Sequence, residues 1–487
     1  MLHRFLLLAV LLCCLPSPAT AAAAGTDKKN VLFIASDDLN CDLGCYGHPL
    51  VKSPHIDRLA KRGVRFELAY CQYPVCNPSR SSFLTGLYPE QTGVLTNGGN
   101  FRNKVPNVVT LPQLFRKNGY FVARVGKLFH YGVPLQIGTS GKDDPPSWDQ
   151  VVNPIGVDRT ELNRVHTLQK GQYGGTLSWL NIKSKDTDHT DGKGATAAIK
   201  LLEDHHPDKT GKPFFLAVGF YRPHTPYVAP SHYFDLYPRE KIKPVLEKPG
   251  DRDDIPVAAL ADRPKQRKLT VPQRKEIIQA YYASISLMDA QVGRVLDALD
   301  RLKLAKNTVI VFVSDHGYHL GHHGLWQKGD LFEGSARVPM VVVEPGSKSA
   351  GKSTKFVTEM VDLYPTVCEL CGVSKPSHLS GRSLIPVLRD PARKSDRPAF
   401  TVARSMAGRV HREFRGKRII GHTIRTGRYR YTEWAGGKFG VELYDYQSDP
   451  REFTNLAKDP RHAATAKLLQ QQLAAARKRG QADPGLK

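Results

Sequence analysis

Residues 76–86, CNPSRSSFLTG, place a thiol where a helix would begin. Pro78 suits the first turn of a helix because its missing N–H would have no partner there, and Gly86 can end the helix in a left-handed conformation. The free backbone amides of a helix N-terminus favour an anion, and Arg80 follows one turn later. The pattern at Cys76 therefore predicts a reactive group beside an anion, rather than the small buried hydrophobe that a free cysteine usually is.

Acidic residues end two apolar segments that are typical of buried strands. Asp37 and Asp38 end NVLFIASDD, and Asp315 and His316 follow NTVIVFVS. The carboxyl ends of parallel strands meet at one edge of a sheet, so these side chains are expected to meet there. An aspartate after a strand is often only a turn or cap residue, but three carboxylates with one imidazole favour Ca²⁺ or Mg²⁺ over zinc.

Basic residues follow further strand ends. Lys127 and His130 come after the strand-like GYFVARVG, His224 ends PFFLAVGFYRPH, and Lys328 lies in HHGLWQKGD. Each of them alone is more often a surface residue than a catalyst. Together with Arg80 around a metal they would form a pocket for a polyanion.

The elements that must hold these residues alternate between strands and helices. An amphipathic helix with Pro272 near its start is predicted from apolar residues that recur every three or four positions. The alternation implies an α/β fold with a large, mainly parallel sheet sandwiched by helices. The apolar positions of the helix are Ile278, Tyr281, Ile285, Met288, Val292, Val295 and Leu299.

After Gly372 a basic, turn-rich segment leads to the strand-like runs HTIRTGRYRYTEW and VELYDYQSDP. These runs predict a smaller C-terminal antiparallel-sheet subdomain, closed by a short helix around Leu469. Residues 138–195 and 239–272 are charged and are predicted to form loops over the site, where selectivity would lie. The predicted divisions are a signal peptide at 1–24, a catalytic α/β domain at 28–373, the subdomain at 374–475 and a basic tail at 476–487.

The N-terminus is typical of a secretory signal. Residues 5–15 form an apolar run too short to cross a bilayer, and the small residues at 21–25 suit signal peptidase. LLCC could belong to a lipoprotein signal, but leucines stand before Cys13 where a small residue is expected. No later segment is apolar enough to span a membrane, so we expect export to a periplasmic, secreted or lysosome-like compartment.

The formal net charge of +24 over 487 residues is large. For an exported protein, nucleic acid is not an expected partner, and an acidic polysaccharide or a sulfated small molecule fits better. A solvated basic surface is the alternative explanation of the charge.

The cysteines outside the signal leave two interpretations open. Cys41 with Cys45, and Cys368 with Cys371, could form disulfides in an oxidising compartment. The same four could make a Cys₄ zinc site, although nothing around them is typical of a zinc module. Cys71 has no assigned partner.

The cysteine motif resembles the signature of the type I sulfatases, C-x-P-S-R followed by L-T-G. FIASDD, GKLFH, RPHTP, SDHG, WQKGD, VDLYPTVCEL and ELYDYQSDPREFTNLA also occur in that family's order, over nearly all of the chain after the signal. The histidine of SDHG, the GK-x-FH spacing and FFLAVGF-x-x-PH-x-P are similar to the iduronate-2-sulfatase branch. The resemblance implies the alkaline-phosphatase-like sulfatase fold and hydrolysis of a sulfate ester.

The resemblance further implies that Cys76 is oxidised to formylglycine, an aldehyde that hydrates to a gem-diol. A formylglycine-generating or radical sulfatase-maturing enzyme would read Cys76, Pro78 and Arg80. One Ca²⁺ per chain would be held by residue 76 together with Asp37, Asp38, Asp315 and His316.

Roles for the basic residues come from the same resemblance. Arg80 and Lys127 would hold the diol nucleophile, and Lys127 and Lys328 with the metal would stabilise the sulfuryl oxygens. His224, with Lys328, would protonate the departing alcohol, and His130 would take the proton of the second hydroxyl. The implied substrate is a sulfated sugar or polysaccharide, with a uronic acid sulfate favoured by the iduronate-2-sulfatase branch.

Two alternatives stay open. Phosphonate monoester hydrolases share the cysteine motif, so the signature alone does not exclude a phosphonate or phosphate ester as substrate. A non-catalytic carbohydrate-binding relative would be expected to have lost part of the catalytic set, and every position of that set is filled here.

Overall fold

The computed structural model describes residues 28–486, so the predicted signal peptide at 1–24 lies outside the described residues. The strands are β1 (Asn30–Asp37), β2 (Val64–Tyr70), β3 (Phe121–Gly126), β4 (Gln150–Val152), β5 (His166–Thr167), β6 (Ser178–Ile182), β7 (Phe214–Pro223), β8 (Tyr227–Pro230), β9 (Thr308–Ser314), β10 (His319–Leu320), β11 (Trp326–Gln327), β12 (Arg337–Val343), β13 (Ser353–Thr354), β14 (Thr358–Glu359), β15 (Ala399–Arg404), β16 (Ile420–Arg425), β17 (Tyr429–Trp434) and β18 (Val441–Asp445). The α-helices are α1 (Pro54–Ala60), α2 (Cys76–Thr85), α3 (Pro89–Thr92), α4 (Leu111–Lys117), α5 (Val157–Thr160), α6 (Thr190–Asp204), α7 (Pro207–Thr210), α8 (Ser231–Asp235), α9 (Val271–Arg301), α10 (Glu333–Ala336), α11 (Leu363–Leu370), α12 (Ile385–Arg389) and α13 (Ala463–Gln481).

A large central sheet organises the molecule, with its strands in the order β13-β2-β12-β9-β1-β7-β3-β4 and β14 also paired with β2. Strands β9, β1, β7, β3 and β4 run parallel, and β12 is antiparallel to both of its neighbours. Every residue of β1 is buried, as expected of a strand covered on both faces. The predicted mainly parallel sheet in an α/β fold is confirmed.

Helices cover both faces of this sheet, and alternate residues of each strand supply the two cores. Leu32 and Ile34 of β1 pack in one core with α1, α6 and α9, whereas Val31 and Phe33 pack in the other with α2, α4 and α11. The carboxyl ends of β1, β3, β7 and β9 therefore open at one edge, between the two helical layers.

Helix α9 is the amphipathic helix that the sequence predicts. Thr270 caps it by accepting the backbone N–H of Gln273, whose side chain reaches back to Thr270, and Pro272 lies in the first turn. Ile278, Tyr281 and the other predicted apolar positions are buried. No helix among residues 28–486 is long and apolar enough to cross a membrane.

The C-terminal region carries an antiparallel sheet of β15–β16–β17–β18, as predicted, although β15 was not foreseen. Helix α13 packs on this sheet and is longer than expected. Residues 476–481, assigned from the sequence to a basic tail, form the end of this helix. The helix continues past residue 475 because Ala476 and Gly480 extend the buried apolar face formed by Leu469 and Leu473.

All six cysteines of the described region are free thiols. Cys45 packs against the core that contains α9, whereas Cys368 and Cys371 lie in the core on the opposite face of the sheet. A zinc site shared by the two pairs is therefore excluded, because the sheet separates them.

Gly219 on β7 offers a test of how the sheet edge holds the site. A Cβ there would lie 2.0 Å from the carbonyl oxygen of Lys127, a backbone atom that cannot turn aside. We expect Gly219→Ala to cost about 3 kcal/mol of unfolding free energy and to lower kcat by displacing Lys127. Denaturant unfolding and turnover assays measure both effects.

Gly194→Ala in α6 is the matched control. Its added Cβ would meet Pro154 and Val125 at 3.7 Å, which is ordinary contact, and alanine favours a helix by up to about 1 kcal/mol. Equal stability and turnover of the two variants would contradict the argument.

Candidate active site

Helix α2 begins at Cys76 and ends at Gly86, whose φ of 70° is the predicted left-handed termination. The Cys76 side chain lies at the sheet edge and is almost fully buried. Its Sγ lies 3.4 Å from Oδ1 of Asp37 and 3.3 Å from Nε2 of His316. The thiol thus meets the ends of β1 and β9, as the strand pattern predicts.

Asp37, Asp38, Cys76 and His316 form a buried group in which one ligand atom from each lies within 4.8 Å of all the others. Within residues 28–486, this is the single cluster of this kind. His316 donates its Nδ1–H to the carbonyl of Gly317 at 2.9 Å, which leaves Nε2 as an electron-pair donor facing the group. Four of the five predicted metal ligands are therefore together.

The donor set of this group suits a divalent cation. Oδ2 of Asp38 is buried without a hydrogen-bond partner, which is costly unless another group satisfies it. Two carboxylates, one imidazole and a residue that would present an oxygen after oxidation favour a hard ion such as Ca²⁺. The residues present fit the predicted metal.

Asp315 stands at the edge of the group. Its Oδ1 accepts the backbone N–H groups of Asp38 at 3.2 Å and His316 at 3.0 Å, and lies 3.5 Å from Nε2 of His316. Its Oδ2 accepts from Nε of Arg80 at 2.9 Å. The side chain therefore holds the ends of both strands in place, beside the four grouped ligands.

Arg80 is completely buried and ties α2 to three strand ends. Besides Asp315, its guanidinium donates to the backbone carbonyls of Lys127 at 2.6 Å, Leu128 at 3.0 Å and Ser36 at 3.2 Å. Because its donors are used in this way, Arg80 positions the residues around Cys76.

Charges in the site nearly balance. The ammonium group of Lys127 contacts Asp37, and that of Lys328 contacts Asp38. Burial raises the pKa of Asp38. The pKa of Asp37 lies well below its usual range. Burial alone would raise it, but the positive charges of Lys127 and the other nearby cations lower it by more. Together with Arg80, the two lysines offset the three carboxylates.

The histidines predicted to act as acid and base lie beside the group. Burial, with Lys127, lowers the pKa of His130 to about 2, and its Nδ1 is buried without a partner. His224 donates from Nδ1 to the carbonyl of Thr225 at 2.6 Å, and its Nε2 lies 3.9 Å from Asp38. Burial and then Lys328 lower its pKa well below the usual value. Burial therefore favours the neutral form of both imidazoles.

The surroundings of Cys76 favour the protonated thiol. Burial, followed by the charge of Asp37, raises its pKa well above the ordinary value, although Lys127 and Lys328 act in the other direction. An unmodified thiol held in this way is a poor nucleophile.

Two aspartates that the sequence does not single out hold the loop of His224. Asp158 pairs with Arg222 at 3.1 Å, and Asp191 accepts the backbone N–H groups of Tyr221 and Arg222. Arg222 in turn donates to the carbonyl of His224 at 2.7 Å. Isolated acidic residues in a long segment have no period or spacing that could reveal this contact.

Part of segment 138–195 faces the site, as predicted. The carbonyl of Gly174 accepts the hydroxyl of Thr225 at 2.9 Å, and Lys142 forms a backbone bridge with His130. The segment is more regular than a loop, since it contains β4, β5 and β6.

Comparison with known proteins agrees with this geometry. The family model "Sulfatase" matches residues 29–373. The chain belongs to the sulfatase family, whose members are sulfuric ester hydrolases. A second model, for the C-terminal region of N-sulphoglucosamine sulphohydrolase, matches residues 321–479 of this sulfatase.

Relatives of this sulfatase include a sulfatase from Formosa agariphila, 34% identical over 93% of the chain and 88% of the relative. Iduronate 2-sulfatase from Homo sapiens is 32% identical over 92% of the chain and 95% of the relative. Among solved structures, the phosphonate monoester hydrolase of Agrobacterium radiobacter superposes with a TM-score of 0.77 at 25% identity, covering 93% and 96% of the two chains. The alkaline-phosphatase-like fold predicted from the sequence is confirmed.

Proposed function

We propose that this sulfatase hydrolyses the sulfate ester of a sulfated uronic acid, free or in a polysaccharide, with residue 76 as formylglycine and with one Ca²⁺. The observation that carries the proposal is the buried group of Asp37, Asp38, Cys76 and His316 at the start of α2. Basic side chains at the same sheet edge give this group the charge that an anionic ester needs.

Bound Ca²⁺ would supply positive charge that favours an ionised hydroxyl on residue 76 and polarises the ester. Asp37, Asp38 and His316 would hold it, with Asp315 beside them. As formylglycine, residue 76 would supply a hydrated aldehyde with one hydroxyl to attack sulfur and a second to release sulfate. A thiol offers no second hydroxyl, so Cys76 without modification could not complete the cycle.

Lys127 and Lys328 would bind the sulfuryl oxygens. An ammonium group has three N–H donors, so contacts with Asp37 and Asp38 leave donors on both lysines. These donors are fixed by the carboxylates before substrate arrives, which is the arrangement that stabilises charge developing in a transition state.

His224 would protonate the departing alcohol from Nε2, the nitrogen that its bond to Thr225 leaves free. A sulfate beside the imidazole would raise its pKa and make the imidazolium available. His130 would accept the proton of the second hydroxyl, for which its Nδ1 has no partner in the protein.

A uronic acid is proposed because the chain carries a net charge of +24 and resembles iduronate 2-sulfatase over nearly its full length. Export, and maturation by a formylglycine-forming enzyme, are part of the same proposal. A phosphonate ester is the second candidate, favoured by the superposition on phosphonate monoester hydrolase.

We expect kcat/KM for a uronic acid 2-sulfate to exceed that for 4-nitrophenyl sulfate by at least about 10-fold, the effect of one charge-assisted contact. Added salt is expected to raise KM for the uronate by screening this attraction. Steady-state assays on sulfated uronates, sulfated hexosamines, aryl sulfates and a phosphonate monoester measure both effects. Equal kcat/KM for all sulfate esters would contradict the proposal that the substrate is a uronic acid sulfate. A higher kcat/KM for the phosphonate monoester would favour a phosphonate ester as the substrate.

A further inference from the structure

A cavity of about 440 Å³ opens beside the active site, between the main domain and the C-terminal sheet. Val75, next to Cys76, lines one end, and Asn97 there accepts the backbone N–H of Asn77 at 3.2 Å. At another side, the methyl of Met406 lies against Gly329, the residue after Lys328. The cavity therefore adjoins both the nucleophile position and a proposed sulfate-binding lysine.

Three cationic side chains line this cavity: Arg404, Arg409 and Lys417. Arg263, from segment 239–272, does not line the cavity but bonds to the carbonyl of Trp326, two residues before Lys328, and the charges of Arg409, Asp38 and Asp330 all act on it. Within residues 28–486, no carboxylate lies within 4.0 Å of any of these four charged groups. Elsewhere in the protein, buried and half-buried arginines such as Arg124 and Arg252 have acidic partners.

The position of these cations is fixed by packing. The turn Val257–Ala259 packs against the turn Ala407–Arg409. One apolar cluster also joins Ala258, Leu331 of the Lys328 loop and Trp434 of the C-terminal sheet. Arg263 and Arg409 are thus brought together by segments that share a core with the catalytic loop.

Arg409 is exposed, whereas Arg263 is the half-buried member of this pair of cations. Within residues 28–486, the guanidinium of Arg263 makes a single hydrogen bond, a long contact of 3.4 Å to the carbonyl of Trp326. Burial and then the charge of Arg409 lower the pKa of Arg263 to about 10, although Tyr318, Asp38 and Asp330 act in the other direction. A half-buried cation that has no carboxylate within salt-bridge distance and lies beside a second cation is expected where a ligand supplies the missing charge.

We propose that Arg263 and Arg409 bind a second anionic group of the substrate, a carboxylate or a further sulfate, while the scissile sulfate lies at Lys127 and Lys328. The inference rests on the proposed sulfatase reaction and assigns its specificity to two residues outside the catalytic group. Guanidinium groups suit both anions, because their paired N–H donors match two oxygens of either.

The test compares Arg263→Gln and Arg409→Gln with the wild type on three substrates. These are a uronic acid monosulfate, a disulfated hexosamine and the neutral 4-nitrophenyl sulfate. Each variant is expected to lose about 10- to 100-fold in kcat/KM, mainly through a higher KM, on the doubly anionic substrate whose second anion Arg263 and Arg409 bind. Turnover of the aryl sulfate should stay within about twofold, because it has no second anion. Arg412→Gln, which removes an exposed charge from the same region outside the cavity, is the matched control.

The pattern of losses identifies the ligand. Loss confined to the uronate assigns a carboxylate, and loss confined to the disulfated sugar assigns a second sulfate. Three results would overturn the inference. They are equal losses on all three substrates, the same losses in Arg412→Gln, and unchanged kinetics on both doubly anionic substrates. If the wild type itself hydrolyses no sulfate ester, the proposed reaction has failed rather than the assignment of the arginines. Unchanged melting temperatures of the variants separate binding from folding.

Discussion

Cys76→Ala protein is expected to fold normally and to have no measurable turnover. The side chain is buried at the start of α2, and alanine is tolerated at that position of a helix. Formylglycine at residue 76 is proposed to supply both the attacking hydroxyl and the one that releases sulfate, so its loss removes every chemical step. Circular dichroism and a sensitive sulfate-release assay measure the two outcomes.

The state of residue 76 in active wild-type protein is checked by peptide mass. The peptide should be lighter than its encoded mass, and it should react with a hydrazide probe for aldehydes. Cys368→Ala is the control, since it removes another buried free thiol from a core away from the site and should lower stability while preserving kcat. Full activity with an unmodified thiol at residue 76 would sink the mechanism.

The part of the site that follows strands could be predicted from the sequence. Two continuous apolar runs end in functional residues, one in Asp37 and Asp38 and the other in Asp315 and His316. Such runs are local signals of buried parallel strands. Their meeting at one edge then follows from topology alone. Helix α2 was equally visible, because proline and glycine mark its two ends.

Other contacts depend on three-dimensional packing that no local pattern records. Arg80 donates to the backbone carbonyls of Ser36 on β1 and of Lys127 just after β3, and carbonyls carry no sequence signal. The segments that carry Arg263 and Arg409 pack together only because distant turns share an apolar cluster. Strand β15 was missed because its run AFTVAR is only six residues long and its partner β16 begins at Ile420, after a long connection rather than across a short hairpin turn.

Removal of the metal is expected to lower kcat by at least about 100-fold, the effect of losing an electrostatic contact in the transition state. The fold should survive, because Lys127 and Lys328 contact the carboxylates that the ion would otherwise neutralise. A ligand present at about 100 times its Kd contributes about 2.7 kcal/mol to stability, so chelation should lower the Tm by about 3 °C in a chain of this size. Elemental analysis, calorimetry and turnover before and after chelation measure these effects.

Asp38→Asn should reproduce the chelated state without a chelator. Asp38 has a buried Oδ2 with no partner in the protein, and an amide in its place binds a hard cation less strongly than a carboxylate does. The variant should therefore contain less than one Ca²⁺ per chain and should lose turnover in parallel. Asp42→Asn is the control, because Asp42 lies four residues away, outside the grouped ligands, and bonds to Asn40. Its metal content and activity should match the wild type. Two results would contradict the metal site: full Ca²⁺ occupancy in Asp38→Asn, or unchanged turnover and Tm in protein shown to be free of metal. Either would mean that these carboxylates bind no ion and that their charge serves only to hold Lys127 and Lys328.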